Sequence, residues 1–351
     1  LRPLTCTRPK LLVPILNQPL LDWTLKGLAK EGIKEVILAV NYMAEAFMNH
    51  YGKSKYGIKL HYSKEEKPLG TGGPIKKAEA LINHVEPFFV LNGDILTNIN
   101  YGDLARKHEE NCAVATIALH QVKRPSRYGT VELTKNNHIT RFVEKPTRGE
   151  EPSNLVNAGI YVLDPKIFDY ISTSRPVSIE REVFPKLAKK GMLYGYVFED
   201  VWLDIGEPAD YFKANWLLLN TQAKREFLGK NAKMETDIKI VPPINVAEKV
   251  VVGEKSKIGP YTIIGENVTI GKDVSIQKSI VFPETRVSDF ASIYGAIIGE
   301  DVTIGKHVKI EEGCIVGDHV TIQDNVILPR GVAVCPYKKV SESMLIAKYV
   351  T

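Results

Sequence analysis

The sequence predicts an α/β domain with a mostly parallel sheet, followed by a solenoid of short parallel strands laid one per face of a prism. Two observations carry this prediction. Strand-length apolar runs alternate with helix-length patterns up to about residue 95, and beyond about residue 240 an aliphatic residue recurs at every sixth position. The chain has 351 residues, room for two domains at about 100–200 residues each. With 44% hydrophobic and 25% charged residues it belongs with globular proteins, not with disordered or collagen-like chains.

The α/β half reads in order. Residues 20–30 (LLDWTLKGLAK) form a helix that Gly32 ends, and EVILAV (35–40) is a buried strand. A helix over 43–51 precedes the strand IKLHYS (58–63), and a helix over about 74–82 leads into FFVLN (88–92). Strands separated by ten-residue helices are βαβ units, the Rossmann-like pattern. From 113 to 163 strands dominate (AVATIAL, YGTVEL, ITRFVEK, NAGIYVL), and helices return at about 165–172, 179–190 and 208–221.

The second half changes period. Val246, Val252, Ile258, Ile264, Ile270, Ile276 and Phe282 fall six apart, and Ile298, Ile304, Ile310, Val316, Ile322 and Leu328 do so again. Gly follows the aliphatic at 253, 259, 265, 271, 299, 305 and 317, where it suits tight corners, and a small or β-branched residue such as Ser256, Thr262, Val268 or Val274 sits four positions after. The stretch 283–297 is expected to slip register or bulge. Hexapeptide periodicity resembles the left-handed β-helix family. The expected boundaries are an α/β domain at 1–228, a linker at 229–244, the β-helix at 245–335 and a tail at 336–351.

Several classes drop out. No apolar run reaches the roughly 18 residues of a membrane span, and the first ten residues carry no signal-peptide core. The net charge of +5 is spread along the chain, which argues against nucleic acid and fits a phosphorylated small molecule. Cys6, Cys112, Cys314 and Cys335 lack zinc or disulfide spacing and are expected to be reduced thiols in a cytoplasmic protein.

Five motifs carry chemistry. Leu1-Arg2-Pro3-Leu4-Thr5 followed by Pro9-Lys10 is a basic loop. Leu69-Gly70-Thr71-Gly72-Gly73-Pro74 lets backbone approach a ligand ahead of a helix N-terminus. Phe88-Phe89-Val90-Leu91-Asn92-Gly93-Asp94 ends an apolar strand in a carboxylate, a hard ligand suited to Mg2+. In Arg141-Phe142-Val143-Glu144-Lys145-Pro146, strand alternation points Glu144 and Lys145 to opposite faces, and Asn157-Ala158-Gly159 follows. Trp202-Leu203-Asp204-Ile205-Gly206 supplies a second carboxylate beside an aromatic.

In this order the motifs, with SIEREVFPKLA (178–188) and WLDIGEPADY (202–211), resemble the sugar-1-phosphate nucleotidyltransferase family across essentially the whole chain. The resemblance implies transfer of a nucleoside monophosphate from an NTP to a hexose 1-phosphate, releasing pyrophosphate, with GDP-mannose the best-fitting product and glucose 1-phosphate thymidylyl or uridylyl transfer the alternative. It implies that Asp94 and Asp204 hold Mg2+, and that Arg2, Lys10, Asn92 and Gly93 serve the nucleotide. Leu69, Gly70 and Thr71 would lie against the base. Lys145 would grip the sugar phosphate, and Gly129, Glu144, Asn157 and Trp202 would line the sugar. The family's Gly-rich loop precedes LRPLT, so that loop is expected upstream of Leu1. Two readings of other classes stand beside this one: a non-catalytic NDP-sugar-binding subunit, and a bifunctional acyltransferase using His307 or His319 of the β-helix. The β-helix is expected to build a homo-oligomer through residues 245–335, since an open apolar end needs capping.

Overall fold

The computed structural model describes residues 1–41, 43–82, 84–222, 227–344, 346 and 349–350. The chain divides into two compact units, Leu21–Asp204 on one hand and Leu1–Leu20 with Ile205–Thr351 on the other. No helix among the described residues is long and apolar enough to cross a membrane.

Two 3-10 turns, Leu4–Cys6 and Lys10–Leu12, precede a minimal hairpin, β1 (Pro14–Ile15) and β2 (Gln18–Pro19). Leu16 and Asn17 between them both have positive φ, the turn geometry whose twist matches paired strands.

In the α/β unit, helix α1 (Leu20–Lys30) forms where the sequence predicts it. Leu21, Leu25 and Leu28 bury one stripe at helical spacing, and Asp22 complements the positive N-terminal end. Strand β3 (Glu35–Val40), helix α2 (Ala44–Tyr51), the short β4 (Ser54–Lys55) and β5 (Ile58–Lys64) follow. β3 and β5 are parallel, the expected βαβ arrangement, and β4 folds back antiparallel on β5. The predicted helix over 74–82 is instead a single turn, α3 (Gly73–Lys77), and a 3-10 turn. The break falls at Ala78, whose N–H is shared between the Pro74 and Ile75 carbonyls, the pattern of a tightening last turn.

Then come β6 (Phe88–Leu91), β7 (Ile95–Thr97), α4 (Tyr101–Asn111), β8 (Ala115–Gln121), β9 (Gly129–Leu133), β10 (Ile139–Glu144), β11 (Leu155–Leu163), α5 (Phe184–Lys189), β12 (Leu193–Val197) and β13 (Trp202–Asp204). The main sheet runs β10-β9-β11-β8-β12, with β6 also paired to β11. Here the expectation of a mostly parallel sheet is corrected: only β8 and β12 pair in parallel, and the sheet is mixed. The cause is connection length. β9 and β10 are joined by a hairpin-length turn, whereas parallel neighbours need a crossover of a dozen or more residues, and the parallel pair β8 and β12 is separated by β9, β10, β11 and α5. Ile117, Leu119, Val131, Phe142, Tyr161 and Phe184 fill the core on one face of this sheet.

The second unit carries the solenoid. Its strands, two or three residues each, stack into three all-parallel sheets of eight, seven and six strands among the described residues. Val246, Val252, Ile258, Ile264, Ile270 and Ile276 fill its axis, as predicted. Phe282 does not. The interior position belongs to Val281, which pairs with Ile264, so the slip occurs in a five-residue turn between Ile276 and Val281. A second such turn joins Ile293 to Ile298, and 283–292 runs in regular register. The pairing also reaches past the expected boundaries. Within 229–244, Lys233–Met234 and Lys239–Ile240 pair with 251–252 and 257–258, and within 336–351 Lys339–Val340 and Tyr349–Val350 pair with the coils before them. Residues 345, 347, 348 and 351 of that tail lie outside the described residues.

Glycine's place in the repeat also differs from expectation. Left-handed backbone falls three positions after most axial aliphatics, at Lys249, Lys255, Asn267, Asp273, Asp301 and His307 among others. The glycine directly after the aliphatic serves coil-to-coil approach: a Cβ on Gly253 would stand 2.6 Å from the Gly271 carbonyl carbon, and one on Gly265 2.5 Å from the Pro283 nitrogen. Buried hydroxyls bridge coils, as where Ser256 Oγ donates to the Gly271 carbonyl and accepts from the Val274 N–H.

These contacts separate two glycines. Gly253→Ala should destabilise the solenoid by about 1–3 kcal/mol, because backbone rather than side chain must yield. Gly27→Ala in α1, whose nearest neighbour would be the Tyr101 ring at 3.8 Å, should raise stability by up to about 1 kcal/mol. Chemical denaturation of the two variants checks both signs.

Candidate functional site

The predicted site residues from Leu69 to Asp204 fall in the α/β unit, while Arg2 and Lys10 fall in the solenoid unit. The centre of the α/β constellation is set by a short antiparallel ladder. β13 pairs with β7 in the register Trp202↔Thr97, Leu203↔Leu96 and Asp204↔Ile95. Opposed residues in such a ladder have Cα atoms about 4.5–5.5 Å apart. Asp94 immediately precedes Ile95, so the backbones of the two acidic residues, remote in sequence, come within one residue of direct opposition. Both are half-exposed. Among the described residues no group of three or more His, Cys, Asp and Glu gathers to hold a metal. As hard oxygen donors the two side chains fit Mg2+ in their chemistry, since it takes one or two carboxylates and completes its shell with waters and phosphate oxygens.

Around this pair the chain is pinned by a bulge in β11. The β8–β11 register shifts between Asn157 and Tyr161. Asn157 Oδ1 accepts from the Gly159 N–H at 2.9 Å, and its Nδ2 donates to the Tyr161 hydroxyl at 2.9 Å. Gly159 has φ +72°, and a Cβ there would meet Asn92 Nδ2 at 2.6 Å, so glycine is required for Asn92 to lie across it. The Asn92 N–H donates to the Gly159 carbonyl at 2.8 Å. Trp202 Nε1 donates to the Ala158 carbonyl at 2.9 Å, and its ring packs on His120 and Tyr128. The structure thus brings Asn92, Gly93, Asp94, Asn157, Trp202 and Asp204 together. Asn157 and Trp202 spend their polar groups on holding the bulge.

Gly129, Glu144 and Lys145 form the adjoining group. Gly129 opposes Glu144 across β9 and β10, and a Cβ on it would stand 2.6 Å from Glu144 Oε2. Strand alternation does not extend to Lys145 as the sequence reading expected. β10 ends at Glu144, and Lys145 turns into the left-handed region at φ +49°, where non-glycine residues are uncommon. Its N–H donates to the Tyr128 carbonyl at 3.1 Å, and its side chain is exposed. Burial, then the nearby Glu180 carboxylate, raises the Glu144 pKa above the ordinary carboxylate range, with Lys145 and Arg181 opposing.

The glycine loop is locked by the segment Val177–Glu180. Val177 N–H donates to the Leu69 carbonyl, and Gly72 N–H to the Val177 carbonyl. Thr71 Oγ1 donates to Glu180 and accepts from the Ile179 N–H, and Ser178 Oγ donates to the same Glu180 oxygen. A Cβ on Gly70 would stand 2.4 Å from the Val177 carbonyl oxygen, which explains that glycine. Glu180, buried at 8% exposure, is the residue sequence reasoning missed. The SIERE motif was the available signal, without a role attached to it.

In the other unit Lys10 begins a 3-10 turn, Lys10–Leu12, and Arg2 is exposed. His307 and His319 occupy solenoid corners, stacked on Phe290 and Tyr337 at ring-centroid distances of 4.8 and 4.7 Å.

Residues 1–221 match the nucleotidyl transferase family, and residues 240–350 match the GMPPB C-terminal domain. A mannose-1-phosphate guanyltransferase of Yarrowia lipolytica is 42% identical over 229 residues, covering 64% of this chain and 62% of the relative. One of Eremothecium gossypii is 39% identical over 249 residues, 69% of this chain and 68% of the relative. The match therefore spans under two thirds of the first relative's length. Among solved structures, HddC from Yersinia pseudotuberculosis complexed with GMP-PN is similar at a TM-score of 0.53 and 29% identity, covering 62% of this chain and 93% of that one.

The electrostatics give a pH signature. A carboxyl with a raised folded pKa stabilises the fold below the unfolded pKa and loses that contribution as pH rises through the folded value. Glu144→Gln should therefore raise the melting temperature relative to the parent at pH 7 and converge with it near pH 4. A gain equal at both pH values in ligand-free thermal melts would contradict the burial of this carboxylate.

Proposed function

The chain belongs to the nucleotidyl transferase family, and on that premise we propose that it joins an NTP to a hexose 1-phosphate, giving an NDP-sugar and pyrophosphate, with GTP and mannose 1-phosphate as the preferred pair. The observation that supports this reading best is the pairing of Asp204 with Ile95, which brings the Asp204 backbone to the residue next to Asp94. The names of these fungal relatives support the guanine and mannose assignment, and the GMP-PN in the HddC structure supports the guanine part.

The chemistry asks for positioning and charge neutralisation. A sugar-phosphate oxygen is already anionic and needs no general base, so the bond it forms to the α-phosphorus and the bond that releases pyrophosphate require in-line geometry and offset negative charge. Asp94 and Asp204 would hold Mg2+, which neutralises phosphate oxygens when bound. Lys145, presented by its left-handed backbone, neutralises the sugar phosphate, and Glu144 across Gly129 accepts from a sugar hydroxyl. Asn157 and Trp202 fix the bulge behind the sugar. Leu69, Gly70 and Thr71, with their loop locked by Glu180, face the base. Arg2, Lys10, Asn92 and Gly93 serve the nucleotide. Stacking through the solenoid into a homo-oligomer would cap its apolar end, and light scattering measures that.

The test is pyrophosphate release from the full chain over a panel of NTPs and sugar 1-phosphates with and without Mg2+. Turnover should be greatest with GTP and mannose 1-phosphate. A preference for dTTP or UTP with glucose 1-phosphate would reassign the substrates, and absence of turnover with every pair would overturn the enzymatic reading. Asp94→Asn and Asp204→Asn should each lower kcat by about 100- to 1,000-fold with the melting temperature retained. Near-normal turnover in either would remove it from the metal pair.

A further inference from the structure

The first twenty residues are bound into the solenoid unit at separate points. The Leu16 N–H donates to Asn215 Oδ1 at 3.0 Å, and Asn17 Nδ2 donates to Asn245 Oδ1 at 2.7 Å and to the Ile264 carbonyl at 2.9 Å. The tightest cluster lies further toward the N-terminus. Arg8 Nη2 donates to Asp318 Oδ2 at 2.5 Å and to Glu300 Oε2 at 2.8 Å, Thr7 Oγ1 donates to the same Asp318 oxygen, and the guanidinium lies 5.3 Å from the centre of the Phe282 ring. The Asp318 side chain is 1% exposed and that of Arg8 17%.

Comparison with equivalent corners shows what is particular to Asp318. Asp289, Asp318 and Asp324 each turn Oδ1 to a backbone N–H of the preceding coil, that of Lys272, Glu300 and Lys306 respectively. The bare glycine beside each, Gly271, Gly299 or Gly305, leaves room for that oxygen. This is architecture, and it uses one oxygen. At Asp318 the second oxygen binds Thr7 and Arg8. A buried ion pair is weak evidence for stability, and Arg8 Nε is buried without a hydrogen bond, a cost that tight packing alone would not favour. What the pair does fix is the place of its segment: Lys10 is two residues from Arg8, at most about 7 Å along the chain.

We propose that Asp318, on a corner of the solenoid, is a positioning residue for Lys10, acting through Thr7 and Arg8 so that the solenoid sets where the nucleotide-phosphate lysine stands. This rests on the nucleotide role given to Lys10 above.

Asp318→Asn is the informative variant, because its amide oxygen can still accept from the Glu300 N–H while the charge facing Arg8 is lost. In steady-state kinetics of the full chain with GTP and mannose 1-phosphate, kcat/KM for the nucleotide should fall about 10- to 100-fold. KM for the sugar phosphate should stay within about twofold. Thr7→Val, which removes one donor without touching the coil, should move the same parameter in the same direction. Asp324→Asn, with the same architectural role and no Arg8, should leave kinetics unchanged. Arg8→Met combined with Asp318→Asn should be no worse than the more impaired single variant. Parental kinetics in Asp318→Asn and Thr7→Val, or equal losses in Asp324→Asn, overturn the proposal. A Lys10→Met variant separates the two readings: if it is impaired and Asp318→Asn is not, only the positioning role fails; if it is unimpaired, the nucleotide role of Lys10 fails and the positioning role with it.

Discussion

The antiparallel pairing of Trp202–Asp204 with Ile95–Thr97 is the constraint on which the α/β site depends. Side chains alternate across a ladder, so a slip of one residue would take Asp204 from opposite Ile95 and turn its side chain to the other face. The register is held at its middle and at one end. Leu96 and Leu203 are buried opposite one another, and Trp202 is tied by its indole N–H to the β11 bulge. That bulge is itself closed by Asn157 and covered by Asn92, whose own turn leads straight to Asp94. Each polar contact therefore fixes the position of the next, and few of these groups are left to adjust once the pair is formed.

The solenoid is built on a different principle, repetition. Its axial aliphatics exclude water, its buried hydroxyls satisfy backbone groups where coils turn, and its glycines allow adjacent coils to approach within backbone contact. Two five-residue turns shorten the repeat without disturbing the axis, because Val281 and Ile298 simply take the interior place one residue earlier. Irregularity is thereby confined to the surface. Phe282, displaced from the axis by the first of these turns, is buried outside it, with the Arg8 guanidinium over its ring.

Much of this was legible in the sequence, for identifiable reasons. Period six is written in side chains that must be apolar, so the axial positions could be read directly. Asp94 and Asp204 stand beside short apolar runs, so their place at the ends of strands could be read as well. The sheet's direction was not legible, since alternation of strands and helices does not state which strands pair, and the hairpin-length connection between Leu133 and Ile139 carries the opposite message. The left-handed turn at Lys145 was not legible, because strand alternation says nothing past the strand's last residue. Glu180 escaped because its role lies in partners, Thr71 and Ser178, of which one is remote in sequence. The five-residue turn at Ile276 was hidden by Phe282, an aromatic standing where the regular period placed an apolar residue.

Repeat proteins ordinarily gain and lose whole units with little penalty, but this one carries an external ruler. The N-terminal segment touches the solenoid at the Ile264 carbonyl through Asn17 and at Asp318 through Arg8, and the pairing Ile264↔Val281↔Ile298↔Val316 places those points three coils apart. At about 4.8 Å between neighbouring strands that is roughly 14 Å. Adding or removing one coil between them would leave the prism's own packing intact and yet put one of the two anchors out of reach by a full strand spacing. The number of turns over this interval is thus dictated from outside the repeat, by ten residues at the opposite end of the polypeptide.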